Sequence, residues 1–465
     1  MFIPQLAAAS EGAAHAGGAP HLDGALLGGL WVAPFACMLL SIAIMPLALP
    51  HFWHHHYGKV AVFWGAAFIV PFTLQFGFSL SLFELLHTML LEYIPFIILL
   101  LALFTVAGGV RLKGTLVGKP IVNTIVLLIG TLLASWMGTT GAAMLLIRPL
   151  LRANRHRKYK VHTVVFFIFL VANIGGSLTP LGDPPLFLGF LKGVSFFWTT
   201  IHMLPLMCFV GGALLVLYFL IDTMLFGKEG KPASPDAGNG EPLAMEGKIN
   251  LVLLGGVVGA VLMSGMWHPG VHFQVYHVTI DLPNLVRDIL LLCIAGLSLK
   301  LTDPESRRLN DFTWEPIVEV AKLFFGIFVS MIPAIAILKA GEHGALKDVI
   351  AMVTASDGGP VNPMYFWLTG ALSSFLDNAP TYLVFFNTAG GDAVHLMHDM
   401  TQTLLAISAG AVFMGANTYI GNAPNFMVRS IAESMDVKMP SFFGYMAWSC
   451  GILVPMFVIT TFIFF

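Results

Sequence analysis

Apolar stretches of about 20 residues, the length a helix needs to cross a hydrocarbon core of roughly 30 Å, recur along this chain. They follow one another from Ala25 to Phe465. Only 10% of the 465 residues are charged and 57% are hydrophobic, whereas soluble domains carry roughly 25% charged residues. The chain is therefore predicted to be an all-α polytopic membrane protein with the lipid bilayer as its surroundings.

A hydrophilic linker divides the predicted spans into two membrane units. The linker, residues 227–248, is rich in Pro, Gly and charged residues, which is typical of a solvated connection. Residues 1–24 are predicted to form an N-terminal tail, because they lack the basic region of a signal peptide. The first unit, 25–226, contains predicted spans at 25–50, 59–79, 84–108, 120–151, 161–193 and 195–226; the second unit, 249–465, contains them at 249–266, 284–301, 315–340, 363–390, 402–434 and 441–465.

The two units carry related motifs at a constant separation. A shift of 239 residues aligns GSLTPLGDPPLFL (176–188) with GANTYIGNAPNFM (415–427), and the same shift aligns Ser135 with Ser374. Such duplication is common in transporter folds, where the repeated broken helices mark the binding site. The identical pairs in the longer motif are Gly176 and Gly415, Thr179 and Thr418, Gly182 and Gly421, Pro185 and Pro424, and Phe187 and Phe426.

The basic residues predict that the two units are inserted in opposite directions. The connector at 152–160 contains five Lys or Arg residues, whereas its counterpart at 388–400 contains none. Because cytoplasmic loops collect Lys and Arg, 152–160 is predicted to be cytoplasmic and 388–400 periplasmic or external. The expected architecture is a pair of inverted-topology repeats in a bacterial inner membrane, with re-entrant helical hairpins and broken transmembrane helices.

Four clusters of Gly, Pro, Asn, Asp and Thr interrupt the apolar segments, at 138–141, 179–185, 377–380 and 417–424. Backbone that leaves the helical pattern at membrane depth must be shielded by protein or line a wet cavity. In duplicated transporters such interruptions meet near the midplane and expose helix N-termini to substrate and ions. The sequence leaves open whether Gly138 and Asp377 lie at hairpin tips or inside full spans.

Two acids, Asp183 and Asp377, lie within these clusters. A carboxylate at this depth needs a neutralising partner, and hard cations such as Na⁺ prefer oxygen ligands. Either acid can instead cap a helix, and the local sequence favours capping more at Asp183, which precedes two prolines, than at Asp377. The predicted substrate- or ion-binding residues are Asp183, Asp377, Asn378, Thr139, Thr179, Asn417, Thr418 and Asn422, with Asp377, Asn378 and Asp183 as the predicted Na⁺ ligands.

The segment SSFLDNAPT (373–381), together with GANTYIGNAPNFM, resembles the ion transporter superfamily, which includes NhaD-type sodium/proton antiporters, arsenite permeases, dicarboxylate/sodium symporters and proteins named as citrate transporters. The Asp-Asn-x-Pro tip at Asp377 is most similar to the antiporter branch. The resemblance implies two helical hairpins, a scaffold domain, a mobile transport domain and a homodimer. The dicarboxylate branch carries Ser-Asn-Thr at both tips, whereas this chain has Gly-Thr-Thr at 138–140 and Asp-Asn-Ala at 377–379.

These features favour a secondary active sodium/proton antiporter that exchanges H⁺ and Na⁺ at mid-membrane Asp residues by alternating access. The alternative is an H⁺- or Na⁺-coupled transporter of a carboxylate resembling citrate. An ion gradient is the expected energy source, because the sequence has no Walker-type phosphate loop, and no cofactor beyond these ions is expected. The duplicated motifs argue against an enzyme, and a formal net charge of −2 with scattered basic residues argues against nucleic-acid binding.

Three further features each have two interpretations. Glu92 is either part of a proton path or structural. Arg429 either contacts an anionic substrate or counters Asp183, or it anchors a helix end at the interface. The histidines of the 51–56 segment, predicted to end the first span, either sense pH or belong to an interfacial aromatic belt. The transported ion or carboxylate, the stoichiometry and the oligomeric state stay open.

Overall fold

The computed structural model describes residues 20–230 and 241–465, and regular structure there is almost entirely helical. Parts of the predicted tail and linker, 1–19 and 231–240, lie outside the described residues. Within the described part, nine helical segments are long and apolar enough to cross a membrane. The all-α polytopic prediction is therefore confirmed.

The helices follow the predicted spans closely. The boundary that differs most is the start of the second helix, which begins at Pro50, so the histidines of the 51–56 segment lie in its first turns and do not end the first span. The α-helices are α1 Ala33–Ala48, α2 Pro50–Phe76, α3 Phe78–Thr88, α4 Ile94–Ala107, α5 Pro120–Met137, α6 Thr139–Ala153, α7 Val161–Leu170, α8 Pro184–Leu191, α9 Phe196–Lys228, α10 Ile249–Met266, α11 Leu282–Leu301, α12 Pro304–Leu309, α13 Glu315–Lys339, α14 Lys347–Met352, α15 Asn362–Phe375, α16 Asn378–Thr388, α17 Ala393–His398, α18 Thr401–Met414, α19 Ala423–Ser434 and α20 Phe442–Phe464.

Short elements connect these helices. A π-helical turn, Met89–Tyr93, joins α3 to α4. Two antiparallel ribbons are formed by β1 (Arg111–Lys113) with β2 (Ala244–Glu246) and by β3 (His272–Val275) with β4 (Val278–Asp281). The 3-10 helices are Gly24–Leu26, Gly29–Val32, Ile174–Ser177, Gly341–His343 and Gly415–Asn417.

Helices α5 and α6 form a hairpin. Gly138 makes the turn with φ +79°, a conformation that glycine adopts without steric cost. At the open end, the side-chain amides of Asn123 and Asn154 exchange two hydrogen bonds of 2.9 Å. The two arms therefore run antiparallel. Gly138 lies at a hairpin tip and not inside a full span.

Helices α15 and α16 form the second hairpin. The rings of Tyr365 and Phe385, on opposite arms, lie 6.3 Å apart between centroids. The arms have 14 and 11 residues, and at 1.5 Å per residue neither reaches the roughly 30 Å of a hydrocarbon core. Asp377 therefore lies at a hairpin tip.

The two broken helices repeat the same local hydrogen bonds. α7 and α8 flank the first break, and α18 and α19 flank the second. The Thr179 hydroxyl donates to the Ser135 carbonyl, and the Thr418 hydroxyl donates to the Ser374 carbonyl. In the same way, the Ser135 hydroxyl donates to the carbonyl of Gly175, and that of Ser374 donates to the carbonyl of Met414. The sequence repeat therefore has a matching repeat of local contacts.

Helix α9 touches the connectors that follow the two hairpins. It has 33 residues and is about 50 Å long. Near its start, the Trp198 indole N–H donates to the carbonyl of Met397, 3.4 Å away, in the connector after the second hairpin. Near its end, Asp222 accepts a 2.8 Å ion-pair bond from Arg157, in the connector after the first hairpin. The connectors thus lie at opposite ends of α9; the inversion of the whole units stays a prediction.

Candidate substrate and ion site

The centre of the molecule holds a buried carboxylate with three side-chain donors. Asp183 precedes α8 and is 1% exposed. Asn378 Nδ2 donates to its Oδ2 at 2.6 Å, while Asn422 Nδ2 and Thr139 Oγ1 donate to its Oδ1 at 3.1 and 3.3 Å. These donors come from the second hairpin, the second broken helix and the first hairpin respectively. The acid lies in the predicted interruption at 179–185, and each of the other three predicted interruptions contributes one donor to it.

Four helices begin around this carboxylate. Thr139 and Asn378 are the first residues of α6 and α16, and Asp183 and Asn422 are the residues preceding α8 and α19. The backbone N–H of Thr139 donates to Gly182 O at 2.9 Å, which ties the first hairpin tip to the first break. The unpaired N–H groups of helix N-termini favour negative charge. The backbone thereby creates positive partial charge around a buried acid.

The two acids have different local roles. One oxygen of Asp377 accepts a 3.0 Å bond from the Ala379 N–H and so caps α16. Asp183 makes no side-chain capping bond, and Pro184 and Pro185, the first two residues of its helix, have no N–H to donate. The preference for capping that the local sequence indicates is thus reversed. The carboxylate of Asp183 therefore accepts hydrogen bonds from side chains of other segments of the chain.

An asparagine chain joins the two broken helices next to Asp183. Asn422 Nδ2 also approaches Asn173 Oδ1 at 3.3 Å, and Asn173 Nδ2 donates to Asn425 Oδ1 at 2.7 Å. Asn425 Nδ2 in turn donates to the carbonyls of Gly415 and Thr418 at 2.8 and 2.9 Å. Since the amides of Asn173 and Asn425 each both donate and accept, this chain of hydrogen bonds links the two breaks.

One buried oxygen at the centre has no donor. Asn378 is 1% exposed, and its Oδ1 accepts from no residue of the described chain. A buried carbonyl oxygen without a partner is costly, and beside a carboxylate it has the chemistry of a ligand for a hard cation. Asp377, the preceding residue, is half-buried at the same hairpin tip.

Besides Asp377, which caps α16, three predicted site residues make no hydrogen bond to Asp183. The hydroxyls of Thr179 and Thr418 are engaged at the breaks, where each also accepts a 3.2 Å bond from a backbone N–H, of Leu181 and Ile420 respectively. Asn417 Nδ2 donates to Ser374 Oγ at 2.9 Å, and its Oδ1 has no partner among the described residues. In this conformation the three side chains shape the backbone around the site.

The basic residues near these motifs are paired elsewhere. Arg429 donates to Glu433 at 3.0 Å and lies 4.7 Å from the ring centroid of Tyr419, so it does not counter Asp183 here. Glu92 accepts from Lys192 at 2.5 Å. The hydrogen-bond partners of Asp183 that the structure records are all neutral.

A second buried acid, Asp222, is not among the predicted site residues. It is fully buried in α9 and accepts from Arg157 at 2.8 Å, from His162 at 2.9 Å and from Asn123 at 3.0 Å. Its presence as a lone acid in an apolar segment is a sequence signal. Its hydrogen-bond partners come from distant segments of the chain, so the local sequence does not identify them.

A buried acid where four helix N-termini meet, inside a bundle of membrane-length helices, is the organisation of a membrane transporter. The chain belongs to the family described as "Putative citrate transport", whose model matches residues 24–465.

Curated relatives agree with this class. An uncharacterized transporter of Mycobacterium tuberculosis is 26% identical over 333 residues, which are 68% of this chain and 70% of that protein. An uncharacterized transporter of Mycobacterium bovis has the same identity and coverage. A 46 kDa membrane protein of Mycobacterium leprae is 25% identical over 268 residues, 57% of this chain and 58% of that protein. The protein is a multi-pass membrane transporter and not an enzyme.

Proposed function

We propose that this transporter is a secondary active antiporter that exchanges Na⁺ for H⁺ across a bacterial inner membrane. The observation that carries the proposal is Asp183, a buried carboxylate whose hydrogen-bond partners are neutral amides and a hydroxyl. A charge held at this depth without a fixed counter-ion requires a mobile cation, and both Na⁺ and H⁺ meet that need.

The surrounding oxygens favour Na⁺ as one of the two cations. Asp183 offers its carboxylate, and Oδ1 of Asn378, the first residue of α16, is a carbonyl oxygen without a partner among the described residues. Asp377 and Thr139 supply further oxygens at the hairpin tips. When Na⁺ leaves, a proton neutralises Asp183. Because both cations use one carboxylate, they compete, and the competition enforces exchange.

Alternating access follows from the opposed placement that we propose for the two units, with 152–160 in the cytoplasm. The contacts of α9 with one connector at each end support this arrangement. The hairpins and broken helices move as the transport element against α2 and α13, which pack together as the scaffold. We propose a homodimer as the assembly.

A second cargo, a small carboxylate resembling citrate, is favoured by a separate observation. The four helix N-termini around Asp183 form an environment that suits an anion, and the family description names citrate. In that case H⁺ or Na⁺ neutralises Asp183 and Asp377 and accompanies the carboxylate.

One reconstituted assay separates the two functions. Purified protein in liposomes with an internal pH dye is given Na⁺, Li⁺, K⁺ or citrate, and uptake of labelled citrate is measured in parallel. Antiport predicts a pH change on adding Na⁺ that is lost in Asp183→Asn and in Asp377→Asn. Asp392→Asn is the control, because Asp392 is an exposed cap of α17 and Asn also caps helices. Full Na⁺-driven proton movement in Asp183→Asn overturns the proposal; citrate uptake with no response to Na⁺ alone establishes the second function.

A further inference from the structure

A cavity of about 670 Å³ lies at the far end of α8 from Asp183. It is bounded by the α8–α9 connection, the end of α10, the β3–β4 ribbon and the first turn of α11. Because α8 has eight residues, its two ends are about 12 Å apart. The cavity is therefore distinct from the central site, and its volume falls in the range of small-molecule pockets.

Arg287 forms part of the cavity wall and is almost completely buried, at 1% exposure. Its Nε donates to Asp288 at 2.9 Å and its Nη1 donates to Asn284 at 3.1 Å. Its Nη2 donates to no residue in the described parts of the chain. A buried guanidinium with an unused donor is costly, and an oxyanion is the group that accepts the strongest hydrogen bond from it.

The rest of the wall favours an anion. Lys192, His268, His272 and Asn284 line the cavity beside Arg287. Asp281 is the acid in the wall, and His272 lies 3.5 Å from it. The acids that pair with Arg287 and Lys192, namely Asp288 and Glu92, are not lining residues. The N-terminal turn of α11 adds its partial positive charge.

We propose that this cavity binds a small carboxylate anion, with the guanidinium of Arg287 as the principal donor and Asn284 and Lys192 beside it. Inorganic phosphate and a lipid phosphate offer related chemistry, so the test includes both. The site does not depend on which ion the central acids exchange, and its binding is measured without any gradient. A negative result for cation exchange at Asp183 therefore does not contradict anion binding in the cavity, and the reverse also holds.

A local reporter tests this site. On a background with Cys37, Cys208, Cys293 and Cys450 replaced by Ser, Val271→Cys places a thiol on an exposed lining position. Val275→Cys is the matched control, because it is exposed on the same ribbon but does not line the cavity. The rate of maleimide labelling is measured in nanodiscs of neutral lipid, with citrate, succinate or phosphate added, and again in nanodiscs containing anionic lipid.

Citrate and succinate are expected to slow labelling at Val271→Cys and to leave Val275→Cys unchanged. Arg287→Gln combined with Asp288→Asn removes both charges of the pair, so no unpaired acid remains; it should raise the citrate concentration for half-protection about tenfold or more. Asn284→Ala is a second, milder variant and should reduce protection in the same direction. No protection by either carboxylate, or equal protection in the Arg287 variant, overturns the proposal. Protection that appears only with anionic lipid, or with phosphate alone, also overturns it in favour of that occupant.

Discussion

Asn378, at the tip of the second hairpin, donates a 2.6 Å hydrogen bond to Oδ2 of Asp183, which precedes α8 in the other unit. The two residues are 195 positions apart in the chain. The acid that carries the proposed exchange is therefore completed by a residue from the opposite unit. A movement of either unit alone changes the partners of the carboxylate, and this couples its charge state to conformation.

Replacement of Asn378 by Ala removes both the donor to Asp183 and the unpartnered carbonyl oxygen. The Na⁺ concentration for half-maximal proton movement should rise about tenfold or more, since a hydrogen bond to a charged group contributes about 1.5–3 kcal/mol. Asn387→Ala is the matched control, because Asn387 is also a buried asparagine of α16 but donates to the Leu383 carbonyl at 2.7 Å. An unchanged Na⁺ dependence in Asn378→Ala, with the protein folded, contradicts the assignment.

Exchanging the residues at 183 and 422 should partly restore function. Asn422 occupies the repeat position of Asp183, and their side chains meet at 3.1 Å. Both precede a helix whose second residue is Pro, so an acid at either position finds no N–H at that second residue. Asp183→Asn alone should abolish Na⁺-driven proton movement, while Asp183→Asn with Asn422→Asp should recover a measurable part of it. If the double variant is as inactive as the single one, the two positions are not interchangeable as the repeat suggests.

The sequence predicts the residues that meet around Asp183 because they form polar motifs within otherwise apolar segments. Asp183, Asn378 and Asn422 are polar residues beside Pro or Gly within apolar segments, and the constant shift of the repeat pairs the segments. The capping roles of Asp183 and Asp377 were predicted in the wrong order. The N–H groups missing at Pro184 and Pro185 are the sequence signal against capping by Asp183, although the N–H of Leu186 leaves one possible donor.

Other features depend on contacts that spacing does not reveal. Thr179 and Thr418 were predicted to be ligands, but in the fold their hydroxyls turn towards Ser135 and Ser374. The hairpin at Gly138 is identified by the Asn123–Asn154 pair, which joins residues from two helices. The length of an apolar segment does not distinguish a hairpin arm from a full span. Helix α5, one arm of the first hairpin, has 18 residues, which is close to the length that a span needs.

Removal of the Asp222 carboxylate should destabilise the protein strongly. Asp222→Ala leaves the fully buried Arg157 and the buried His162 without this partner. The loss of one member of a buried ion pair costs about 3–5 kcal/mol, measured as a reduced free energy of unfolding in detergent or lipid. Arg308→Ala is the control, since Arg308 pairs with Glu305 on the exposed surface, and it should leave stability unchanged. If both variants are equally stable, the contacts of Asp222 with Arg157 and His162 do not stabilise the fold.

The contact between Glu92 and Lys192 should separate during transport. Glu92 lies in the π-helical turn between α3 and α4, which packs against α13 of the proposed scaffold, and Lys192 directly follows α8. Their 2.5 Å ion pair therefore joins this turn to a broken helix. Glu92→Cys with Lys192→Cys, joined by a short bifunctional thiol reagent, should stop transport, and cleavage of the linker should restore it. Arg111→Cys with Glu246→Cys in the β1–β2 ribbon is the control, and its linkage should leave transport intact. Full activity of the linked 92–192 protein contradicts movement at this contact.

The opposed insertion of the two units predicts that the connectors after the hairpins face different compartments. Lys158 and Val394 are both exposed, in the 152–160 connector and at the start of α17. On the cysteine-free background, a membrane-impermeant maleimide should label Val394→Cys in intact cells but not Lys158→Cys. In inside-out vesicles the pattern should reverse, because the arginines and lysines of 152–160 retain that loop in the cytoplasm. Permeabilised cells, in which both thiols should react, provide the control for reactivity. Labelling of both positions from the same side contradicts inverted repeats and, with them, the proposed alternation of the two hairpins around Asp183.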